Sequence, residues 1–225
     1  MTATTRLAAA AARAQGVRQR ADRPSQRRSA QGAGSLAVAR AQLVGVQVRA
    51  TGSAGGLTFE GHACVTERAY EMWDGWGPYN EVVSAGAFDS SLARADLDVP
   101  LVLGHDQLRR IARTTNGTLA LSIDDDGLLV VAQLDESDVD VQYIAPKLRS
   151  GLIDEMSFAF RITRGTWSPD YTEYRIDEAE IHRGDVAIVG YGANPGTDGG
   201  LRGGSPADHS RARALLELAI ATGGR

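Results

Sequence analysis

The chain has 225 residues, a net charge of −4 and 43% hydrophobic residues, which suits one domain of moderate size with tails. Its single cysteine, Cys64, excludes an internal disulfide framework and any Cys-based zinc site. No run approaches the roughly 18 apolar residues that a membrane-spanning helix needs, and the expected setting is cytoplasmic.

Charge is unevenly placed. Residues 1–50 carry nine arginines against one acid, Asp22, so that stretch stands at +8 and the other 175 residues at −12. Residues 1–40 are rich in Ala, Arg, Gln, Gly and Ser, with one alanine-rich run that favours transient helix, and they read as a disordered basic arm. The start is Arg-rich and acid-poor, superficially like a transit peptide, and lacks the apolar stretch of a secretory signal.

Period-two alternation begins at "QLVGVQVRA" (42–50) and resumes at "LTFEGHACV" (57–65), two strands joined by a Gly-rich turn. "YEMWDGWGPYNEVV" (70–83) reads as an aromatic loop, and "SAGAFDSSLARAD" (84–96) as a short helix. Strands follow at 99–105, 109–114, 118–124 and 128–135, the last two separated by the turn signal "DDDG". Residues 137–151 read as a helix capped by Ser137 and stopped by Gly151, with Pro146 a source of kinking. "IDEMSFAFRITRG", "TEYRIDEAEIH" and "DVAIVGYG" are three further strands. After residue 196 a Gly-rich linker leads to a C-terminal helix capped by Ser205. The expected fold class is mainly β (α+β), an antiparallel β-barrel of about eight strands with a few surrounding helices.

The sequence holds no phosphate loop, dinucleotide fingerprint, HExxH or CxxC motif, and no metal or cofactor is expected. In "GLIDEMSFAF" (151–160), alternation sends Met156, Phe158 and Phe160 to one face and Ser157 and Ala159 to the other. That leaves Ser157 on a nearly bare face. A serine nucleophile needs a base within hydrogen-bond reach and a third group that fixes the base's tautomer. His105 ends a strand after Gly104, with Asp106 and Gln107 as polar company, and is the candidate base. His182 and Asp185 are both candidates for the third group. His62, beside Cys64 in a strand, reads as packed or at the surface, and His209 as solvated in the tail helix.

Five segments in order resemble the prohead (procapsid maturation) serine proteases of tailed bacteriophages, distant relatives of the herpesvirus assembly proteases. They are "GHACV", "EVVSAGAFDSSL", "VPLVLGHDQLRRIART" with its following hairpin, "LRSGLIDEMSFAFRI" and "DVAIVGYGANPGT". Three positions depart from the family's pattern: Ala85 and Gly192 stand where it has proline, and Ala187 where it has serine.

The resemblance implies a herpesvirus-protease-like barrel, a protease domain over 41–196 between the basic arm (1–40) and the linker and helix (197–225), and a serine endopeptidase. It makes Ser157 the nucleophile, His105 the general base and Asp185 the orienting acid. His182 stays a rival because the viral relatives use a second histidine there. In a regular strand 182 and 185 face opposite sides, although Gly184 offers a site for a bulge. The oxyanion is expected to meet backbone N–H groups or an arginine-held water. The implied setting is the host cytoplasm, inside the assembling procapsid. Implied partners are the major capsid protein or its scaffold segment, with portal and a second copy of the chain as further candidates. The arm is expected to dock on scaffold or to be removed by self-cleavage between about Arg18 and Leu36, rather than to bind nucleic acid.

Overall fold

The computed structural model describes residues 3–29, 39–42, 47–51 and 56–190. They form helix α1 (Ala3–Gly16), strands β1 (Arg28–Ser29), β2 (Ala39–Gln42), β3 (Gln47–Thr51), β4 (Gly56–Val65), β5 (Tyr70–Trp73) and β6 (Pro78–Val83), and a single helical turn α2 (Asp89–Leu92). Then come β7 (Pro100–Leu103), β8 (Asp106–Arg113), β9 (Leu119–Ile123), β10 (Gly127–Asp135), α3 (Val139–Arg149), β11 (Glu155–Trp167) and β12 (Glu173–Val189).

The strands make a four-stranded antiparallel sheet, β3-β4-β10-β9, and an eight-stranded mixed sheet along β1-β5-β6-β12-β11-β2. Strand β12 is the spine of the larger sheet. One edge pairs with β11 throughout; the other pairs in parallel, first with β6 and then with β7, which carries β8 at its far side. The mainly β expectation agrees with this architecture, but the sheet is not purely antiparallel, and no closed barrel ladder is found among the described residues. One core fills the space between the sheets, with Phe59, Leu101, Leu128, Met156, Phe158, Ile176 and Val186 within it.

Four local expectations are corrected. The aromatic stretch 70–83 is a hairpin, not a loop: Tyr70 and Met72 alternate inward, and the Asp74 carboxylate closes the turn by accepting from the Trp76 and Gly77 amides. The cap of α3 is Asp138, which accepts from the Asp140 and Val141 amides, one residue beyond Ser137. The two strands expected from "TEYRIDEAEIH" and "DVAIVGYG" are, over residues 173–189, the single strand β12, interrupted by a bulge. The helix over 84–96 shrinks to the four residues of α2.

The largest correction concerns the N-terminal arm, whose residues 3–29 fold onto the body. Arg13, 0% exposed, pairs with Asp74 at 2.6 Å, donates to the carbonyls of Gly77, Pro78 and Tyr171, and lies between the rings of Tyr79 and Trp167. Removing one partner of such a pair leaves a buried charge uncompensated, at a cost of about 3–5 kcal/mol. Further on, the carbonyls of Arg20, Asp22 and Ser25 accept from the Trp167 amide, the Trp167 indole and the Gly75 amide. Arg27 then pairs with the buried Glu81, which also holds the hydroxyls of Tyr70 and Tyr79. A segment poor in apolar residues is thus ordered by charge pairs reaching across the sheet. The rest of the arm's link (30–38) and residues 191–225, with the expected C-terminal helix, Gly192 and His209, lie outside the described residues.

Candidate active site

Strand β11 presents Ser157. Cross-strand partners are Ala187 on β12 and Arg40 on β2, so the serine sits on an interior strand. Met156 and Phe158 point into the core, where Phe158 stacks on Phe160 at 4.4 Å and Phe88 meets both rings edge-on. This face fixes the strand. On the other face the neighbours are small or branched: Ala187, Val102 and Val189 form a separate buried cluster. The bare face read from the sequence is therefore lined by small residues, as expected, but it is not open. Ser157 is 0% exposed, with strands on both sides of it and the His105 ring against its hydroxyl.

His105 comes from the hairpin between β7 and β8. Leu103 pairs with Asp106, leaving Gly104 and His105 as a two-residue turn, both left-handed at φ 62°. Such turns need positive φ at both central positions, which glycine adopts freely and histidine only at a cost. The Gly104 amide donates to the Ile188 carbonyl at 2.9 Å, pinning the turn to β12.

Asp185 follows a bulge in β12. Ala159 pairs with Asp185 but Arg161 pairs with Glu180, so the residues between them on β12 loop out of register. Arg183 is left-handed at φ 59°, and a Cβ on Gly184 would lie 1.9 Å from the Ala159 carbonyl oxygen, so only glycine fits. Past the bulge, Asp185 is buried at 3% exposure.

These three side chains, 52 and 28 residues apart in sequence, form one hydrogen-bonded chain. His105 Nδ1 lies 2.7 Å from Asp185 Oδ1, and His105 Nε2 lies 2.8 Å from Ser157 Oγ. A carboxylate only accepts, so Nδ1 carries the proton and donates to Asp185. That leaves Nε2 as the acceptor of the Ser157 hydroxyl, the arrangement in which an imidazole can remove a serine proton. The His105 side chain retains 17% exposure and is the part of the trio most open to solvent.

His182 does not join this chain. Its Nδ1 accepts from the Asp98 amide at 3.2 Å, and its own amide is held by Glu180 at 2.8 Å. Gln107 does join: its Nε2 donates to Asp185 Oδ2 at 2.6 Å. Sequence reasoning saw Gln107 only as polar company for His105. The available signal was its spacing, two residues past the histidine at the start of a strand.

Beside Gln107 lies a polar cleft of about 200 Å³, lined by Asp98, Arg110, Arg113, Arg183 and Gly184 among others. Asp98 is held in two hydrogen bonds by Arg113, both 2.7 Å, and that hydrogen bonding keeps its carboxyl below the ordinary value despite partial desolvation. Cys64 is buried away from water, which pushes its thiol well above the ordinary range and leaves it inert as a nucleophile. Among the described residues no cluster of three or more His, Cys, Asp or Glu side chains is arranged to hold a metal, and no helix is long and apolar enough to cross a membrane.

Neither a curated protein nor a solved structure matches the chain. A family model described as caudovirus prohead serine protease matches residues 45–205, a span that includes Ser157, His105, Asp185 and every strand from β3 to β12. With a match over more than half its length, the chain belongs to the caudovirus prohead serine proteases, hydrolases of bacteriophage capsid maturation.

Proposed function

We propose that Ser157, His105 and Asp185 are the catalytic triad of an endopeptidase that cleaves the scaffold, or the scaffold segment of the capsid protein, and itself during head assembly. The carrying observation is the unbroken Ser157–His105–Asp185 chain at 2.8 and 2.7 Å, with the tautomer dictated by the acid. In the acylation step Ser157 Oγ attacks the scissile carbonyl carbon as its proton passes to His105 Nε2. Asp185 stabilises the imidazolium. Collapse of the tetrahedral intermediate breaks the C–N bond, and the Nε2 proton leaves on the amine. Water then attacks the Ser157 ester and gives a proton to His105; the ester C–O bond breaks, the Nε2 proton returns to Ser157 Oγ, and the new carboxylic acid is released. Backbone N–H groups or a bound water supply the oxyanion's donors.

Because Ser157 is buried, a substrate strand reaches it only after a local rearrangement, which fits an enzyme held back until assembly brings substrate to it. The same burial is what a rival reading would use: an assembly module that binds capsid protein without cutting. That reading leaves the hydrogen-bonded trio without a purpose. Self-cleavage is now expected within 30–36, since residues 18–29 of the stretch first considered are tied to Trp167, Gly75 and β5.

The test is co-expression with the capsid protein. Ser157→Ala should leave both proteins full length, while the wild type shortens the capsid protein and sheds its own N-terminal piece. Capsid cleavage by Ser157→Ala would overturn the assignment. Equal retention of residues 1–40 in both after capsid cleavage would remove only the self-processing claim.

A further inference from the structure

The geometry points to Gln107 as a positioning residue for the proposed triad, locked in orientation by Arg110. The inference rests on the reading of Ser157, His105 and Asp185 as catalytic.

Asp185 has two oxygens to satisfy in a nearly closed site. Oδ1 takes the His105 Nδ1 proton, and Oδ2 takes a proton from Gln107 Nε2 at 2.6 Å. A glutamine amide is nearly symmetric in shape, so something must decide which end faces the carboxylate. Arg110 decides it. A guanidinium is donor-only, and Arg110 donates through NH2 to Gln107 Oε1 at 3.1 Å and through Nε to the Gln107 carbonyl at 2.7 Å. With Oε1 occupied on the arginine side, the NH₂ end is turned to Asp185.

The arrangement also ties two elements together. His105 and Gln107 both come from the β7–β8 hairpin and grip the two oxygens of one β12 side chain. The carboxylate can then neither swing about its bond to Cβ nor slide relative to the imidazole. Without the Gln107 donor, the neighbouring cleft of about 200 Å³ would admit water to Oδ2. The imidazole would lose a fixed acceptor, and the serine a fixed base. Gln107 is solvent-exposed on its outer side, so replacing it disturbs little packing.

The probe is a fluorophosphonate on the purified full chain. Ser157 Oγ displaces fluoride from phosphorus while its proton passes to His105, so the rate reads the activated serine without a known cleavage sequence. Gln107→Met keeps the shape and loses the donor. Its maximal labelling rate should fall about tenfold with the probe's binding constant unchanged, the effect of losing one hydrogen bond to a charged group. Gln107→Glu keeps the shape but sets a second carboxylate against Asp185, and should fall about tenfold further. Arg110→Met should fall less than Gln107→Met, because the amide then flips but still donates part of the time. A packing role would rank the two Gln107 variants together. The inference is overturned if those two match each other or the wild type, or if Arg110→Met is the slowest of the three. Ser157→Ala separates the claims: labelling of that variant sinks the triad reading itself, whereas an unlabelled Ser157→Ala beside wild-type rates at Gln107 sinks only the positioning role.

Discussion

Among the described residues two histidines hold a carboxylate, and one of them, His105, also faces a hydroxyl. His62 places Nε2 at 3.0 and 2.9 Å from the two oxygens of Asp124, a pairing little longer than the 2.7 Å between His105 and Asp185. Its other nitrogen, Nδ1, is buried and meets no hydrogen-bond partner among the described residues. Asp124 also accepts from the amides of Asp126 and Gly127, both at 3.0 Å, closing the turn between β9 and β10. That pair is a clasp on a hairpin. In the other pair the second nitrogen accepts from Ser157, and the acid's second oxygen is held by Gln107. A histidine–acid pair is therefore common structural material. What makes chemistry available is the group on the imidazole's far side and the rigidity of the acid on its near side.

The comparison breaks most sharply at the two acids. Asp185→Asn should lower the rate of peptide cleavage about 10⁴-fold with folding intact, since an amide there favours the wrong imidazole tautomer. Thermal melting and cleavage, measured on one preparation, check both halves. Asp124→Asn should do the reverse: full activity, and a loss of about 1–3 kcal/mol in stability, the worth of a hydrogen bond to a charged group.

A pH series sharpens that second result. Burial works against the Asp124 carboxylate, but the hydrogen bond and charge of His62 and the Gly127 and Asp126 amides outweigh it and hold its pKa below the ordinary 3.8. A depressed carboxylate adds stability that is complete above its unfolded value and fades as pH falls through the folded one. The wild type's advantage over Asp124→Asn should thus be full above about pH 5 and shrink below pH 4. An advantage that grew on acidification would contradict the pairing. The smallest effect belongs to His182→Gln, for which cleavage should stay within about threefold of wild type, because only an amide contact to Asp98 is lost. A collapse of activity there would revive the second-histidine arrangement.

Much of the site was legible because its signals are local. A lone serine in alternating apolar sequence marked β11, and His105 was legible as the end of a strand, although the tight turn it occupies was not. The parity argument for 182 and 185 assumed a regular strand and does not apply, because two steps along β11 span five along β12; the bulge at Gly184, which the sequence allowed for, sets their placement instead. What escaped was set by partners distant in sequence. Arg13 finds Asp74 and Arg27 finds Glu81, so a stretch that composition reads as disordered is folded from residue 3 to 29. The charge imbalance was visible; that the opposite charges meet inside one molecule was not. The burial of Ser157 was hidden for a similar reason, since the pairing of β2 with β11 joins strands more than a hundred residues apart.

The central claim is that His105, and not His62, activates Ser157. Fluorophosphonate labelling followed by peptide mass mapping tests it directly, using wild type, His105→Ala and His62→Ala. The account predicts a single adduct on Ser157 in the wild type, its loss in His105→Ala, and its retention in His62→Ala. An adduct on another residue, or an equal loss of labelling in a folded His62→Ala protein, would contradict it.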